Sequence, residues 1–444
     1  MTLVLLFISE IILLIIAYLI TGKDIMRPAV VMIGMFVFST FVALLNIFNW
    51  NINYSFKAFL IIITGLIVAL LADYLSYIMS KHHKQKLRTN ESEIKKIQVD
   101  IWKYIIIIGI EIITLFLYYQ EIKRLAYLDG YIPGSNLLWH FKNITSYTAK
   151  EGVKGTISLL LKIMDAVAYV TAFIIINNIY SGKSKKKETI ILFIPIILFV
   201  IKVLLGSGRQ DLLRIASFAL ITSYIMCKNK VGWNKNISKK FTLKLFVFVP
   251  VALILFYGAS SLIGRSTTRT AFQYLSTYAG GSIQHFNQYI QEPIQYTNYH
   301  FGEETFPGIY SFLNKIGVTN YSRPVHLEMR KLGITQGNVY TFFRRPYNDF
   351  GYLTTMILTF IILFLFGKKY SSYSDTKDSF RMDISIIIYG YLFYWIVLSS
   401  IEQYSISIIS LGTLVTILLI YLIYFCIVNV SIKKGRIIVL KNKE

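Results

Sequence analysis

Residues 2–20 read TLVLLFISEIILLIIAYLI, an apolar run in which Glu10 is the one charged side chain. A helix of about 20 apolar residues crosses the roughly 30 Å hydrocarbon core of a bilayer, so this run predicts a transmembrane helix. It lacks the basic segment and the small-residue cleavage site of a signal peptide, and we expect it to be retained as a membrane span. The same pattern recurs along the rest of the chain.

Eleven apolar runs bounded by polar residues predict an all-α integral membrane protein with about 11 transmembrane helices. They cover residues 2–20, 29–48, 56–78, 103–119, 158–180, 189–205, 212–226, 241–263, 350–366, 384–400 and 405–430. Composition agrees, because 55% of the 444 residues are hydrophobic and only 16% are charged, whereas about a quarter of a soluble domain is charged. We therefore expect one polytopic membrane domain over residues 1–444.

The basic residues divide unequally between the two sets of loops. With the N-terminus outside and the C-terminus inside, 28 of the 46 Lys and Arg residues fall in inner loops and 15 in outer loops. Lys and Arg are enriched in cytoplasmic loops, so we predict this orientation in the membrane. Much of the formal net charge of +23 then reflects topology, and we expect no nucleic-acid partner.

Two outer segments are far longer than the remaining hairpins, namely the smaller outer loop at residues 120–157 and the large outer loop at residues 264–349. Loops this long are uncommon unless they are functional. The large outer loop is rich in Tyr, Phe, His, Gln and Asn, and it predicts a catalytic lid of short helices at the outer headgroup region. It has no counterpart in the first half of the chain, which counts against a transporter built from two similar halves.

Arginine is distributed differently from lysine. Of 33 lysines 24 lie inside, whereas only four of 13 arginines do. The outer arginines are Arg124, Arg209, Arg265, Arg269, Arg323, Arg330, Arg344 and Arg345, and Arg214 lies near the outer start of a span. A guanidinium binds phosphate oxygens in pairs and stacks on aromatic rings, so the outer face is predicted to bind anions. Alternatively, these arginines pair with lipid headgroups or with outer carboxylates such as Glu303, Glu304, Glu328 and Asp349.

The sharpest local pattern is LGSGRQD at residues 205–211, a turn that leads into the seventh predicted span. Ser207 followed by Gln210 fits a capping box, which places Arg209 in the first turn of the helix. Free backbone N–H groups and the positive end of the helix dipole then add to the charge of Arg209 and predict an anion site. The alternative is an ordinary turn in which Asp211 pairs with residue 214 at i, i+3.

A second pair of cations, Arg265 and Arg269, lies four residues apart on one predicted helical face. Like charges at this spacing repel by a few tenths of a kcal/mol, and a bound pyrophosphate would offset that repulsion. Ionisable residues inside the predicted spans are functional candidates by default, although Asp165 and Lys202 lie near the outer ends and could simply pair with each other.

Several kinds of chemistry have no sequence support. The chain contains no Walker loop and no Gly-rich dinucleotide fingerprint, so we expect no cofactor. Its six histidines show no metal-ligand spacing, and the first outer hairpin at residues 49–55 carries no carboxylate. We therefore predict no metal site and an activity that is independent of metal ions.

Four segments carry a resemblance to a known family. They are GSGRQD at residues 206–211, GSIQHFN at 281–287, FGEETFPGIY at 301–310 and GNVYTFFRRPYNDFG at 337–351. Together with the span count and the late large outer loop, they make the chain similar to the oligosaccharide repeat unit polymerases, the Wzy-type family that polymerises O-antigen or capsular repeats. The related O-antigen ligases also carry an arginine just before a span, a feature that Arg209 matches.

This resemblance implies glycosyl transfer at the outer face of a bacterial plasma (inner) membrane, from one polyprenyl (undecaprenyl) pyrophosphate glycan to the terminal sugar of another. Arg209, Arg265 and Arg269, with Arg344 as a further candidate, would neutralise the leaving pyrophosphate. His285, His326, Asp349 and Glu402 are the candidate general bases, and the expected substrate-binding residues are Arg214, Tyr340, Arg344, Arg345 and Tyr347.

The implied partners are the lipid bilayer, the lipid-linked substrates, a chain-length regulator and a flippase. Two alternatives remain open. A flippase or other transporter of lipid-linked oligosaccharides would need cations that line a cavity at mid-membrane depth. An O-antigen ligase would differ from a polymerase only in its acceptor.

Overall fold

A computed structural model of the chain describes residues 1–83, 94–148, 150–184, 186–206, 208–237, 241, 243, 257–258, 270–294, 301–320, 327–374, 379–402, 409–433 and 436–439. Nine helices in these ranges are long and apolar enough to cross a membrane. The prediction of an all-α, multi-pass membrane protein is thereby confirmed. The nine spans are α1 Thr2–Ile20, α2 Pro28–Leu45, α3 Phe56–His83, α4 Ile101–Leu128, α6 Gly155–Tyr180, α7 Lys186–Leu205, α12 Arg344–Ser372, the pair α13 Phe380–Leu392 with α14 Tyr394–Val397, and α15 Leu411–Asn429.

The other two predicted spans have different outcomes. The seventh, residues 212–226, lies within helix α8, Gln210–Val231, which is more polar and is not one of the nine. The eighth, residues 241–263, falls almost wholly outside the described residues. Helix α12 begins at Arg344, so the last residues of the predicted large outer loop are helical, and Gly351 with φ of 75° interrupts the helix near its start.

Shorter elements fill the two long segments. The smaller segment contains α5 Leu137–Lys142 and a π-helical turn, Asn143–Tyr147. The described part of the large segment contains α9 Ala271–Ala279, α10 Gly281–Gln291, α11 Pro307–Lys315 and an antiparallel hairpin of β1 Arg330–Leu332 with β2 Thr335–Gly337. A second hairpin, β3 Val430–Lys433 with β4 Arg436–Val439, follows α15.

Helices α3 and α12 pack closely at the centre of the bundle. Phe343, just before α12, inserts its ring against Gly65 of α3, where an added Cβ would lie 2.4 Å from the ring. The same ring is 5.5 Å from the ring of Phe36 on α2. Because Gly65 has no side chain, the start of α12 can lie deep against α2 and α3, and this fixes the position of the segment that precedes it.

The two ends of the bundle differ in character. At the lysine-rich end, where the segments 21–27 and 367–374 meet, Arg27 donates from Nε to Asp73 Oδ2 at 3.3 Å and from Nη1 to Ser371 Oγ at 2.7 Å. We call the opposite end, which carries α9, α10 and the β1–β2 hairpin, the loop end. Buried ion pairs of this kind satisfy charges that would otherwise be costly inside a membrane protein.

Direct hydrogen bonds hold the large segment on the loop end. Asn287 of α10 accepts a hydrogen bond from the backbone N of Ser55 at 2.8 Å and donates one to the carbonyl of Asn53 at 2.8 Å. The hairpin approaches just as closely, since a Cβ at Gly333 would lie 2.3 Å from the carbonyl oxygen of Asn49. Gly333 also has φ of 56°, so both space and backbone conformation favour glycine there.

Candidate functional site

Arg209 lies at the loop end, directly before α8. Its side chain is only 6% exposed, and its Cζ is 5.1 Å from the ring centre of Tyr274 and 5.9 Å from that of Tyr278. The two tyrosines are four residues apart on α9, so they present their rings on one helical face. The guanidinium is therefore held against aromatic rings, beside a helix N-terminus whose dipole favours anions.

The local geometry around Arg209 differs from the sequence expectation in one respect. Helix α8 begins at Gln210, so Arg209 is its N-cap and not part of its first turn. Ser207, the predicted capping residue, lies outside the described residues. Among the described residues, no atom lies within 4 Å of the position that a Cβ at Gly208 would take, while a Cβ at Gly206 would come within 2.9 Å of the Tyr118 hydroxyl. Thus a side chain at position 208 would fit beside Arg209, whereas glycine at position 206 allows the backbone to pack against Tyr118.

Arg214, one turn into α8, has the partner that the alternative interpretation named. Its Nη1 is 3.2 Å from Asp211 Oδ1, and its Cζ lies 4.5 Å from the ring centre of Tyr394. Asp211 Oδ2 is also 3.9 Å from Lys202 Nζ, which pairs with Asp165 Oδ1 at 2.6 Å. These contacts join α6, α7 and α8 at the loop end.

Arg344 contacts two carboxylates of the large segment, and Arg345 contacts a carboxylate that follows α14. Arg344 is fully buried and donates to Glu304 Oε2 at 2.8 Å and to Glu328 Oε2 at 3.1 Å. Arg345 donates from Nε to Glu402 Oε1 at 3.0 Å. These pairs are the alternative left open for the outer arginines, and each ties the start of α12 to another part of the loop end.

Tyrosines complete this cluster. The Cζ of Arg344 lies 3.6 Å from the ring centre of Tyr289, and the Tyr340 hydroxyl donates to the carbonyl of Glu328 at 3.2 Å. Tyr347, the last of the five predicted substrate contacts, is half-buried against the helical core. Burial raises the pKa of Glu304. At Glu328 burial is outweighed by the charge of Arg344 and several hydrogen bonds acting together, and the pKa of that carboxyl is lowered. These contacts attach three parts of the large segment to Arg344 at the start of α12.

The candidate general bases at the loop end are either buried or already hydrogen-bonded to other protein groups. His285 is fully buried, Nδ1 lies 2.8 Å from the carbonyl oxygen of Val339, and burial lowers its pKa to about 4. Asp349 Oδ2 accepts from the backbone N of Thr305 at 2.6 Å. Glu402 pairs with Arg345. His326, Arg265 and Arg269 fall outside the described residues, and their roles stay predictions.

The structure adds residues that the sequence reasoning missed. Tyr274 and Tyr278 were not singled out, although tyrosines four residues apart in a short helix are a signal that one face is aromatic. Glu304 and Glu328 were named only as possible partners of the whole arginine set. Within the described ranges, no three His, Cys, Asp or Glu side chains converge as a metal site would require.

Comparisons with known proteins add no assignment. No protein-family model matches the chain, and no curated protein or solved structure is significantly similar to it. Any proposed function therefore rests on the sequence pattern and on the geometry of the loop end.

Proposed function

We propose that this chain is a polymerase of lipid-linked oligosaccharide repeat units, acting at the outer face of a bacterial plasma membrane. The observation that carries the proposal is the position of Arg209, a buried guanidinium packed against two tyrosine rings at the N-terminus of α8. The sequence resemblance supplies the substrate class, and the loop end supplies a place where a phosphate-bearing substrate would be recognised.

The proposed reaction displaces a pyrophosphate from the anomeric carbon of the donor glycan. Negative charge grows on the leaving oxygen as the bond to carbon breaks, and a preorganised cation next to that oxygen stabilises the transition state. Arg209 would provide paired N–H donors, and the first-turn N–H groups of α8 would provide further donors. Tyr274 and Tyr278 hold the guanidinium in place, so little reorganisation is needed during the reaction.

Arg265 and Arg269 belong to the proposal as additional cations, on the basis of sequence alone. Arg344 and Arg345 are better described as residues that shape the large segment, because their guanidinium groups contact Glu304, Glu328 and Glu402. The proposed orientation has the loop end outside and the lysine-rich end in the cytoplasm, in agreement with the count of basic residues.

The location of the charge favours a transferase over a flippase. A flippase must bind its phosphate group as that group crosses the bilayer, so cations are needed along the path. Arg209 lies instead at a helix end, beside the large segment. An O-antigen ligase would share this donor site, and only its acceptor would differ.

Deletion of the gene in its host, with surface glycan resolved by size, tests the proposal. A polymerase predicts surface glycan limited to single repeats, which plasmid-borne wild-type protein restores to long chains. Loss of all surface glycan with lipid-linked repeats trapped on the cytoplasmic side would instead indicate a flippase. Normal polymer length in the deletion strain would refute a polymerase.

A further inference from the structure

A second polar cluster lies on the smaller segment, outside the site described above. His140 Nδ1 is 2.9 Å from Asp129 Oδ2, at the end of α4. Asn143 Nδ2 donates to both oxygens of the same carboxylate, at 2.9 and 3.1 Å. Asp129 is thereby fixed from two directions, and it in turn fixes the plane of the imidazole.

This contact determines which nitrogen of His140 carries a proton. An ionised carboxylate can only accept hydrogen bonds, so Nδ1 donates to Asp129 and the lone pair resides on Nε2. A histidine whose Nδ1–H is held by a carboxylate is a general base at Nε2, and the carboxylate stabilises the imidazolium once it forms. The side chain is 17% exposed, so a substrate can reach it.

Aromatic side chains surround the imidazole. The ring of Trp139 is 4.9 Å from that of His140 and the ring of Tyr131 is 6.0 Å away, both in edge-to-face geometry. Trp139 is itself 51% exposed. Exposed aromatic faces next to hydrogen-bonding groups suit carbohydrates, whose C–H faces pack on rings while their hydroxyls bond to polar side chains.

The cluster adjoins the turn that carries Arg209. Phe141, the residue after His140, packs edge-to-face on Tyr118 with ring centres 6.1 Å apart. The Tyr118 hydroxyl lies against Gly206, three residues before Arg209, and Leu205 packs into the same apolar cluster as Phe141. These apolar contacts thus join the helix that carries His140 to the turn between α7 and α8 that leads to Arg209.

We propose that His140, oriented by Asp129, is the general base that accepts the proton of the acceptor sugar. The proposal rests on the proposed polymerase function. In the step, the acceptor oxygen forms a bond to the donor anomeric carbon and gives its proton to His140 Nε2. The bond from that carbon to the pyrophosphate oxygen breaks, its electron pair leaves with the lipid pyrophosphate, and His140 later releases the proton to water.

His140→Asn and Asp129→Asn test this assignment in purified protein supplied with lipid-linked repeats. The asparagine at position 140 places an N–H donor where Nδ1 was, so the loop contact to Asp129 is kept while the base is lost. The amide at position 129 favours the opposite imidazole tautomer and removes the lone pair from Nε2. General base catalysis typically contributes about 10²- to 10⁴-fold, so each variant should lose rate by about that factor. Donor binding and thermal stability should stay near wild type.

Thr145→Val is the matched control, since it removes a 2.8 Å hydrogen bond to the Phe141 carbonyl in the same loop and leaves the cluster intact. It should polymerise at nearly the wild-type rate. Wild-type rates from His140→Asn would overturn the proposal, and so would losses that follow the amount of folded protein in all three variants. A wild-type protein that forms no polymer would refute the polymerase function and this role with it, so the two failures are distinguishable.

Discussion

Replacing Arg209 is the sharpest single test of the proposed pyrophosphate site. If its guanidinium neutralises the leaving group, Arg209→Ala should slow polymerisation by about 10²- to 10³-fold, the usual effect of removing one preorganised donor. Arg209→Lys should recover only part of the rate, because an ammonium cannot make the paired hydrogen bonds of a guanidinium.

The structure also sets the expected effect on stability. Because Arg209 is 6% exposed and contacts two tyrosine rings, the residue contributes more to packing than an exposed arginine would. At about 0.5–1 kcal/mol for each cation–π contact, Arg209→Ala should lower the free energy of unfolding by about 1–2 kcal/mol. The loss of rate should therefore far exceed any loss of folded protein.

The assay is the chain-length distribution formed per mole of folded protein, with membrane abundance and thermal unfolding measured in parallel. Arg124→Ala is the matched control, because Arg124 is a half-buried guanidinium of the smaller segment that pairs with Glu121 and Glu151. It should leave the rate within a few fold of wild type. Normal polymer from Arg209→Ala, or full activity from Arg209→Lys, would remove this residue from the transition-state site.

Three further outcomes follow from the same geometry. Arg344→Ala should lower the free energy of unfolding by about 3–5 kcal/mol, because it removes the ion pair of the buried Glu304 carboxylate and one ion pair of Glu328, and an unchanged melting temperature would contradict this. The pKa of His285 is lowered to about 4 in the folded state, so the unfolded state takes up the proton first, and the free energy of unfolding should fall by about 3 kcal/mol as the pH drops from about 6.5 to about 4. Thermal unfolding of His285→Gln should show a smaller decline over this pH range. With the native cysteines removed, an impermeant thiol reagent applied to intact cells should label a cysteine at Val318 and spare one at Ser184, and the reverse pattern would invert the topology.

Apolar periodicity predicted the membrane-spanning helices well. The predicted run at residues 2–20 coincides with α1, because a change from apolar to polar side chains marks both of its ends. Other helices extend past their apolar runs. Helix α4, for example, continues to Leu128 through polar residues, since a helix does not have to end where the hydrocarbon core ends. Length and hydropathy therefore predict the spans and leave their polar extensions open.

The site itself was harder to predict, because its contacts join distant parts of the chain. Local sequence predicted that Arg209 lies in the first turn of a helix, one residue further into the helix than its actual position as N-cap, but nothing near it indicates that α9 supplies its tyrosines. Arg344 could equally have bound substrate or glutamate, and the position of Glu304 relative to α12 decides between them. Asp129 and His140 are 11 residues apart with a turn between them, a spacing without helical or strand periodicity. Such pairings depend on tertiary packing.

Metal-independent polymerisation can be measured by incubating the purified protein with defined polyprenyl-pyrophosphate repeats in excess EDTA. We expect a ladder of lengthening glycans and release of polyprenyl pyrophosphate, because cationic side chains and a helix N-terminus would stabilise the leaving group in place of a metal. If no ladder forms, or if it forms only after Mg²⁺ or Mn²⁺ is restored, polymerisation by a metal-independent arginine site is contradicted.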